Sequence, residues 1–512
     1  MSILTVLYNH PVASGLVILV IYVVSLGIYR LYLSPLAKFP GPKLAALTQW
    51  YETYFELFKH DGGQFIFEYA KWHEKYGPII RINPWELHIQ DSEFYEVLYS
   101  ATRPSDKPGG QINRFVFPLS TFSTPGHALH RRRRAALNPL FSRRRTAEHQ
   151  PNIQRLMDKL CDRLTQEFLC KEKVLTVDRM WGCWTSDKVV EFSFERHYNF
   201  IEHPELRSFF VDAIEKFIDP VHVFTQFPWV TSLLIAPPDS IVSFLQPRLR
   251  SVLDFKQEIK SQIAELLQKP NSEKQPTTIF SALLGSDLSV EEKSSARLQH
   301  EAMTIIGGAI EPTTRALSLA TYHILANPEV HQRLQEELIA AIPDAKNIPS
   351  WDNLTQLPYL SACIEEALRL SYGSSQRLPR ILRNTPLPYK NHTIPVGTTV
   401  SMDSYAIAHH ERIFPDSFNY HPERWLGQPR APDGKQLSRY MVTFGRGARS
   451  CAGMWMAYAE IYTGVASLFR RFEMELFETG RDAVDLYMDW ALPRVDPRSR
   501  GVRVLVKGVV GG

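Results

Sequence analysis

Residues Phe444 to Gly453 read FGRGARSCAG, and a stretch with helical periodicity follows from Met454 to Phe472. The glycines before the cysteine permit a tight turn, which brings Cys451 to the start of the predicted helix. Backbone N–H groups and the helix dipole at such a position stabilise a thiolate and lower the pKa of a thiol. Gly453 permits close approach of a flat ligand, and Arg449 is placed to meet an anionic group. The alternative for a lone cysteine is an inert, buried side chain.

The same stretch resembles the haem-binding signature of the cytochrome P450 family, Phe-x-x-Gly-x-Arg-x-Cys-x-Gly. Phe444, Gly447, Arg449, Cys451 and Gly453 fall on its fixed positions. The resemblance implies a haem b cofactor whose iron is bound by Cys451, with Arg449 at a haem propionate, Phe444 packed near the sulfur and Gly453 beside the cofactor. In this class the thiolate ligand donates electron density that favours O–O bond cleavage.

Two further motifs resemble the family in the expected order. The sequence EALR places Glu366 and Arg369 three residues apart, on one helix face, as in the family's Glu-x-x-Arg motif. The downstream sequence PERW contains Arg424 and resembles the segment that supplies a second arginine. The resemblance implies a structural network of Glu366, Arg369 and Arg424. It also implies that Arg380, the last residue of RLPR, reaches a propionate.

A basic segment begins with HRRRRAALNPLF at residues 130–141, and seven basic side chains fall between Arg131 and Arg145. A net charge of +4 over 512 residues argues against a nucleic-acid partner. The resemblance implies instead a helix that meets haem on one side and an acidic reductase surface on the other. The family usually has Trp-x-x-x-Arg here. This chain has His130 and Arg134 at those two positions, and both are expected at a propionate.

The sequence GGAIEPTT at Gly307 to Thr314 departs from the family pattern. The family's central helix carries a small-residue pair, then an acid, then a threonine that helps protonate bound dioxygen. Counting back from the following Arg-Ala-Leu, Glu311 is the acid and Pro312 stands in the threonine's place, with Thr313 one position later. A shift of one residue would make Thr313 the equivalent. We expect these three residues to take part in oxygen activation.

The N-terminus predicts a membrane anchor. No charged side chain occurs from Ser2 to Tyr29, and a helix over 12–29 would be about 27 Å long, close to the hydrocarbon thickness of a bilayer. Basic residues follow this run rather than precede it, which argues against a cleaved signal peptide and for a cytosolic catalytic domain. We divide the chain into an anchor (1–30) in the endoplasmic reticulum membrane, a proline-rich hinge (31–45) and a haem domain (46–512). The sequons at Asn353 and Asn391 should then stay unmodified.

The fold class follows from the remaining periodicity. Helical patterns dominate, at residues 152–168, 249–267, 292–325, 328–341, 359–370 and 454–472. Strand-like pieces are short, at residues 79–82, 87–89, 398–402 and 501–506. Loops are expected at 271–276 and 427–435. We therefore predict a mainly α protein with a minor β portion, a cytochrome P450 fold preceded by one transmembrane helix. The five cysteines lack Cys-x-x-Cys spacing, which argues against a disulfide framework.

The resemblance implies a monooxygenase that receives electrons from NADPH through a separate cytochrome P450 reductase, with cytochrome b5 as a further donor. It is closest to fungal microsomal members that oxidise terpenoid or polyketide scaffolds in secondary metabolism. Two alternatives stay open: a reductase-independent isomerase or dehydratase, which Pro312 favours, and an anchored haem sensor without turnover. Pocket contacts are expected near residues 115–117, 305–306, 374–376 and Leu492, giving an apolar site for a lipophilic substrate.

Overall fold

A computed structural model describes residues 11–235, 249–268 and 278–511. The loop expected at 271–276 lies outside the described residues, as does the beginning of the predicted anchor. The chain divides into two compact units. The smaller unit comprises the described residues up to 91 together with 378–402, and the larger unit comprises those of 92–377 together with 403–511.

The smaller unit combines short helices with short strands. Its helices are Pro11–Ile28, Lys43–Leu47, Trp50–Leu57 and Phe65–Tyr76. Its strands are Ile79–Asn83, Glu86–Ile89, Arg380–Leu382, Leu387–Tyr389, His392–Ile394 and Thr399–Ser401. The first two strands pair antiparallel, the second pairs parallel with Thr399–Ser401, and that strand pairs antiparallel with Arg380–Leu382. The other two strands form a separate antiparallel hairpin.

The larger unit is mainly helical. Its helices are Tyr95–Leu98, His127–Leu137, Arg143–Glu167, Val177–Phe194, Phe209–Ile218, Val221–Gln226, Pro228–Ile235, Arg250–Gln268, Ile279–Leu284, Ser295–Ala326, Pro328–Ala341, Trp351–Leu354, Pro358–Ser371, Ser404–Ala408 and Met454–Arg471. Its strands are Ser105–Asp106, Leu175–Thr176, Phe472–Leu476, Met488–Trp490, Leu492–Arg494 and Arg503–Val509. The strand Arg503–Val509 pairs antiparallel with Leu175–Thr176 and Phe472–Leu476.

The core of the larger unit forms around the helix Ser295–Ala326, called the central helix below. It packs against Val177–Phe194 and against Met454–Arg471, called the cysteine helix below. A Cβ atom at Gly464 would lie 3.0 Å from Cδ2 of Leu317 and 3.2 Å from ring carbons of Trp181. Glycine therefore permits this close packing of three helices, since interiors leave little room for an added atom.

The predicted fold class is confirmed, and most predicted helices end within a few residues of the observed bounds. The largest difference is the helix expected at 152–168, which begins at Arg143 and continues through Pro151. Ser142 caps this helix by accepting a hydrogen bond from the backbone N–H of Arg145 at 3.3 Å. Pro151 has no N–H group, so one helical hydrogen bond is missing there. The helix nevertheless continues from Arg143 to Glu167.

The proline-rich segment 31–45 is held against the rest of the smaller unit. Nη1 of Arg30 donates to the carbonyl of Leu47 at 2.5 Å, and Nη1 of Arg81 donates to the carbonyl of Arg30 at 2.6 Å. The backbone N–H of Arg81 donates to the carbonyl of Pro40 at 2.7 Å. The division of the chain at residues 30 and 45 stays a prediction, and these contacts fix where the apolar helix leaves the folded unit.

Candidate active site

The loop that carries Cys451 is shaped by its glycines. Gly445 and Gly447 have φ values of 64° and 70°, in the left-handed region that favours glycine. A Cβ atom at Gly447 would also overlap the carbonyl oxygen of Tyr99. The backbone N–H of Cys451 donates to the carbonyl of Phe444 at 2.8 Å, which closes the loop just before the cysteine helix. The structure therefore places Cys451 where the sequence predicted it.

The pKa of Cys451 differs from the expectation. Burial raises the pKa of this thiol, and that effect outweighs the backbone N–H of Gly453 and the charge of Arg134, which both lower it. The backbone N–H group at the helix start thus acts in the predicted direction, but among the protein groups alone the effect of burial is larger. A coordinating metal ion deprotonates a thiol outright, so the thiolate form is the one a bound iron would stabilise.

The surroundings of Cys451 leave part of its side chain accessible to a cofactor. Its side chain has exposed surface, although dense protein around it raises its pKa. Cys161, Cys183 and Cys363 are buried, and burial raises the pKa of Cys161 to about 12. A Cβ atom at Gly453 would meet only Cδ1 of Phe141, at 3.9 Å, so neighbouring protein atoms do not require glycine there and a cofactor remains the predicted reason.

The predicted propionate contacts fall in both units. In the larger unit Arg449 donates from Nη1 to the carbonyl of Thr124 at 2.9 Å and from Nη2 to that of Pro125 at 2.8 Å. These bonds tie the cysteine loop to the segment that leads into the helix His127–Leu137. Arg380 lies in the smaller unit, buried, with Nη1 donating to the carbonyl of Pro379 at 2.9 Å. Their propionate roles stay predictions.

The helix His127–Leu137 divides its basic residues between two environments. His130 is buried, and Arg134 follows it by four residues on the same helix face. Burial lowers the pKa of Arg134, and the nearby Cys451 acts in the opposite direction, which places this arginine on the side of the thiol. Arg131 and Arg132 are exposed. Only part of the basic run is therefore available to a protein partner.

The predicted network around Glu366 is present. Nε and Nη2 of Arg369 donate to the two carboxylate oxygens at 2.9 and 2.8 Å, and Nε of Arg424 donates to Oε1 at 3.0 Å. Trp425 adds a hydrogen bond from Nε1 to Oε2 at 2.8 Å. Burial acts to raise the pKa of Glu366, but hydrogen bonds and charges from the two arginines outweigh it, so the pKa is lowered.

Phe444 belongs to a contact chain that the sequence did not reveal. Its ring centroid lies 5.2 Å from that of Tyr458, on the cysteine helix. The hydroxyl of Tyr458 donates to Oε1 of Glu365 at 3.2 Å. Burial raises the pKa of Glu365 to about 7. Glu365 is the first of two adjacent acids and directly precedes the EALR motif, and periodicity alone indicated no partner for it.

The central helix runs through Pro312 without a break. Gly308, four residues earlier, is exposed, and no atom lies within 4 Å of the position that its Cβ would take. Residues four apart share a helix face, so Pro312 lies on the open face with Gly308. Thr313 is rotated by about 100° from Pro312 and is buried. On this geometry Pro312 borders the open space and Thr313 packs to the side.

Glu311 lies in a buried charged cluster. Burial raises its pKa, and the positive charges of Arg494 and Arg315 act in the opposite direction. Among the described residues, Oε2 of Glu311 and Nη2 of Arg494 are buried without a hydrogen-bond partner. Burial also raises the pKa of Glu215, which approaches the cluster because Ile214 packs beside Gly307. Glu215 and Arg494 were missed because nothing in sequence spacing links them to the central helix.

The cytochrome P450 family model matches residues 47–491. The chain belongs to the cytochrome P450 family. Cytochrome P450 monooxygenase orf4 of Eupenicillium brefeldianum is 46% identical over 503 residues, covering 97% of this chain and 98% of the relative. Cytochrome P450 monooxygenase sdnE of Sordaria araneosa is 37% identical over 508 residues, covering 96% and 98%. Tryptophan 6-hydroxylase fscE of Fusarium equiseti is 37% identical over 498 residues, covering 96% of both chains.

This P450 is therefore a monooxygenase that uses haem, with a cysteine thiolate as iron ligand. The family also implies a redox partner and a small-molecule substrate. Among the described residues one helix, Val12–Leu33, is long and apolar enough to span a membrane, which is compatible with the predicted anchor. The family, fold class, cofactor and enzyme class predicted from the sequence are confirmed.

The predicted pocket residues of this P450 are partly committed to its own structure. Phe117 is buried, with its ring 5.0 Å from that of Phe217. Ser375 donates to Oδ1 of Asp489 at 2.7 Å, and Gln376 accepts a hydrogen bond from Arg114. Ser374 donates to the carbonyl of Ala491 at 2.8 Å. The bonds of Ser374 and Ser375 hold the hairpin Met488–Arg494 in place. Phe115, Ile305 and Leu492 are partly buried and stay apolar candidates for the pocket.

Proposed function

We propose that this P450 inserts one oxygen atom into a lipophilic, terpenoid or polyketide-derived substrate in secondary metabolism. Electrons would come from NADPH through a separate reductase, with cytochrome b5 as a further donor. The supporting observation is the glycine-rich loop that presents Cys451, whose side chain has exposed surface, just before the cysteine helix. Ile305 and Leu492 are apolar, which favours a lipophilic substrate.

Cys451 is the proposed iron ligand, and the surrounding side chains are proposed to hold the cofactor. When bound, haem with a thiolate ligand supplies the oxygen-activating chemistry. Arg449, Arg380, His130 and Arg134 would neutralise or hydrogen-bond the propionates, and Phe444 and Gly453 would pack beside the ring system. The network of Glu366, Arg369 and Arg424 would keep the helix Pro358–Ser371 in place beside the cysteine helix, against which it packs.

Proton delivery is proposed to depend on the open face of the central helix. Pro312 has no N–H, so the carbonyl of Gly308 lacks its helical donor and can hold a water molecule. The Glu311 carboxyl, whose pKa burial raises, would pass its proton to that water and be reprotonated from solvent. Thr313 would contribute at most an indirect hydrogen bond, because it is buried beside this face.

The proposed setting is the endoplasmic reticulum membrane, with the anchor at 1–30 and the haem domain in the cytosol. Arg131 and Arg132 are exposed, while Arg134 on the same helix approaches Cys451. A single helix would thus connect an acidic reductase surface to the cofactor side. Exposed charges of this kind accelerate the encounter with an oppositely charged partner more than they tighten it.

The central test replaces Cys451 with alanine. We expect Cys451→Ala to lose the carbon-monoxide spectrum of a haem-thiolate protein and all product formation, because the spectrum depends on the thiolate ligand. Cys170→Ala is the matched control, since Cys170 is the other exposed cysteine and should leave spectrum and activity unchanged. If Cys451→Ala kept the thiolate spectrum, the assignment of the ligand would be wrong.

A second candidate function is a reductase-independent isomerisation or dehydration. Pro312, at the position where the family carries threonine, favours it. The two functions are separated by incubating the membrane-bound enzyme and substrate with and without NADPH and reductase. Product that requires both supports the monooxygenase. Product that forms without them supports the isomerase or dehydratase.

A further inference from the structure

One face of the hairpin Met488–Arg494 carries both polar and apolar side chains. Trp490 lies opposite Leu492 in the antiparallel pair. Met488 likewise lies opposite Arg494. Residues opposite each other in such a pair point to the same face, and so do alternate residues of one strand. Arg494 and Trp490 therefore share a face with Leu492, an apolar candidate for the substrate pocket.

This face is held in place by contacts in which the guanidinium of Arg494 takes no part. The carboxylate of Asp489 accepts a hydrogen bond from the hydroxyl of Ser375 at 2.7 Å. Nε2 of His222 donates to the backbone carbonyl of Asp489 at 2.5 Å. The ring of His222 also packs against that of Trp490, with the centroids 5.5 Å apart. The position of Arg494 is thus set by the hairpin and not by bonds of its own side chain.

Arg494 is a cation without a bonded counter-ion. Among the described residues no carboxylate forms an ion pair with it, and its Nη2 atom is buried without a hydrogen-bond partner. An arginine keeps its charge in proteins, and a buried donor without a partner is costly because its lost hydration is not replaced. Nε1 of Trp490 is buried without a partner as well. Diagonal neighbours of this kind lie about 7–8 Å apart, within reach of one bound group.

The carboxyls nearest to Arg494 do not neutralise it. Its charge acts to lower the pKa of Glu311 and of Glu215, but burial outweighs this effect and raises the pKa of both. Glu215 nevertheless keeps exposed surface. The two carboxyls are thereby shifted towards their neutral forms, and Arg315 adds a second positive charge beside Glu311. The charges around Arg494 therefore favour an additional anionic group.

We propose that Arg494 binds a carboxylate of the substrate, with the indole N–H of Trp490 as a second donor. The inference rests on the proposed oxygenation of a lipophilic substrate and adds an acidic group to that substrate. A guanidinium binds a carboxylate through two parallel hydrogen bonds, which fix its orientation as well as its position. A water molecule would satisfy the same donors but would leave the charge unbalanced. The apolar part of the acid would extend along Leu492 and Ile305.

The test compares lipophilic acids with their methyl esters. Full-length, haem-loaded enzyme in phosphatidylcholine nanodiscs is dialysed against dodecanoic, abietic and naphthylacetic acid and against the three esters, and mass spectrometry measures the bound amounts. Nanodiscs without protein give the background. We expect wild type to bind at least one acid about ten- to hundred-fold more tightly than its ester, because hydrogen bonds to charged groups are strong.

Two variants of Arg494 and one control identify the group responsible. Arg494→Gln should abolish the preference for the acid, and Arg494→Lys should keep part of it, because lysine retains the charge without the paired donors. The control is Arg500→Gln. Arg500 is exposed and lies 3.7 Å from the exposed Glu478, so this variant should keep the full preference.

Each other outcome contradicts the inference. Wild type without a preference for any acid overturns it, and so does a preference that persists in Arg494→Gln. A preference lost equally in Arg500→Gln would show general attraction by positive charge and overturns it too. If Arg494→Gln lost the haem-thiolate spectrum, an unchanged preference in Arg494→Lys would overturn the inference and a reduced one would support it.

The binding measurement is independent of the proposed function. It needs neither NADPH nor turnover, so a failure of the monooxygenase proposal would leave the acid preference measurable. Conversely, an enzyme that forms product with NADPH and reductase but shows no acid preference would overturn only the role of Arg494. A variant Arg494→Gln that forms less product while keeping the acid preference would place Arg494 in proton delivery through Glu311 and would also overturn the inference.

Discussion

Glu311 is a carboxylic acid in a buried position on the central helix. Its carboxyl is buried beside Arg494 and Arg315, and burial raises its pKa. A carboxyl in this state holds its proton at higher pH than an exposed one, which suits a proton donor at neutral pH. Arg494 opposes the shift, so the balance between burial and this cation sets how readily Glu311 releases its proton.

Replacing Glu311 with glutamine tests this role. We expect Glu311→Gln to reduce product formation by about 10² or more, because an amide cannot deliver a proton. Thr313→Ala is the matched control and should cost much less, since Thr313 lies to the side of the open face. The measurement is product formed per NADPH consumed. If Thr313→Ala uncoupled NADPH use while Glu311→Gln had little effect, Thr313 would be the family's threonine.

The helix Pro358–Ser371 carries a buried group of charges. Glu366 meets Arg369 and Arg424 where little water is present to stabilise any of them. Removing one partner from such a group costs about 3–5 kcal/mol, because the other charges stay buried. The hydrogen bond from Trp425 to the same carboxylate ties the PERW segment to the helix.

Glu366→Gln should therefore lower the free energy of unfolding by about 3–5 kcal/mol at neutral pH. The pKa of Glu366 is lowered in the folded protein, so its contribution is present above the unfolded pKa and is lost as pH falls through the folded pKa. The difference between wild type and variant should shrink on acidification. Urea unfolding of the detergent-solubilised enzyme at several pH values measures it. A difference independent of pH would contradict this account.

The matched control is Glu423→Gln. Glu423 is the second residue of the PERW segment and directly precedes Arg424. Glu423 is exposed and lies 3.4 Å from Arg333, which is also exposed. It accepts a hydrogen bond from the hydroxyl of Tyr359 at 2.7 Å, and the amide oxygen of glutamine can accept the same bond. Exposed ion pairs typically contribute about 0–1 kcal/mol. Glu423→Gln should therefore change stability little, and the contrast with Glu366→Gln isolates the effect of burial.

An element could be predicted from the sequence where the residues that determine it are contiguous in the chain. The cysteine helix and its loop could be predicted because a turn, a cysteine and a periodic stretch are contiguous. The partners of Glu311 could not, because Glu215 and Arg494 come from distant segments that meet only in the folded unit. The helix Trp50–Leu57 could not be oriented either. Its sequence WYETYFEL suggests buried aromatic residues, whereas in the structure Glu52 and Glu56 are buried and Asn83 donates to Glu52.

For the whole molecule, the main question is which side of the membrane the folded units occupy. Basic residues follow the apolar helix, and positively charged flanks remain cytosolic. Arg30 is also bonded to the backbone of Leu47, so this flank is part of the folded chain and not of a separate tail. The orientation of the apolar helix in a membrane would therefore determine on which side the catalytic domain lies.

The two sequons provide a direct test of this topology. Asn353 and Asn391 are both exposed, in the larger and the smaller unit respectively, so a missing glycan at either would not result from burial. We expect no change in electrophoretic mobility on treatment with an endoglycosidase, because a cytosolic asparagine never meets the glycosylation machinery. As a control, a sequon added through a spacer ahead of Met1 should be modified, since that end would face the lumen. Glycosylation at Asn353 or Asn391, with the added sequon unmodified, would reverse the proposed topology.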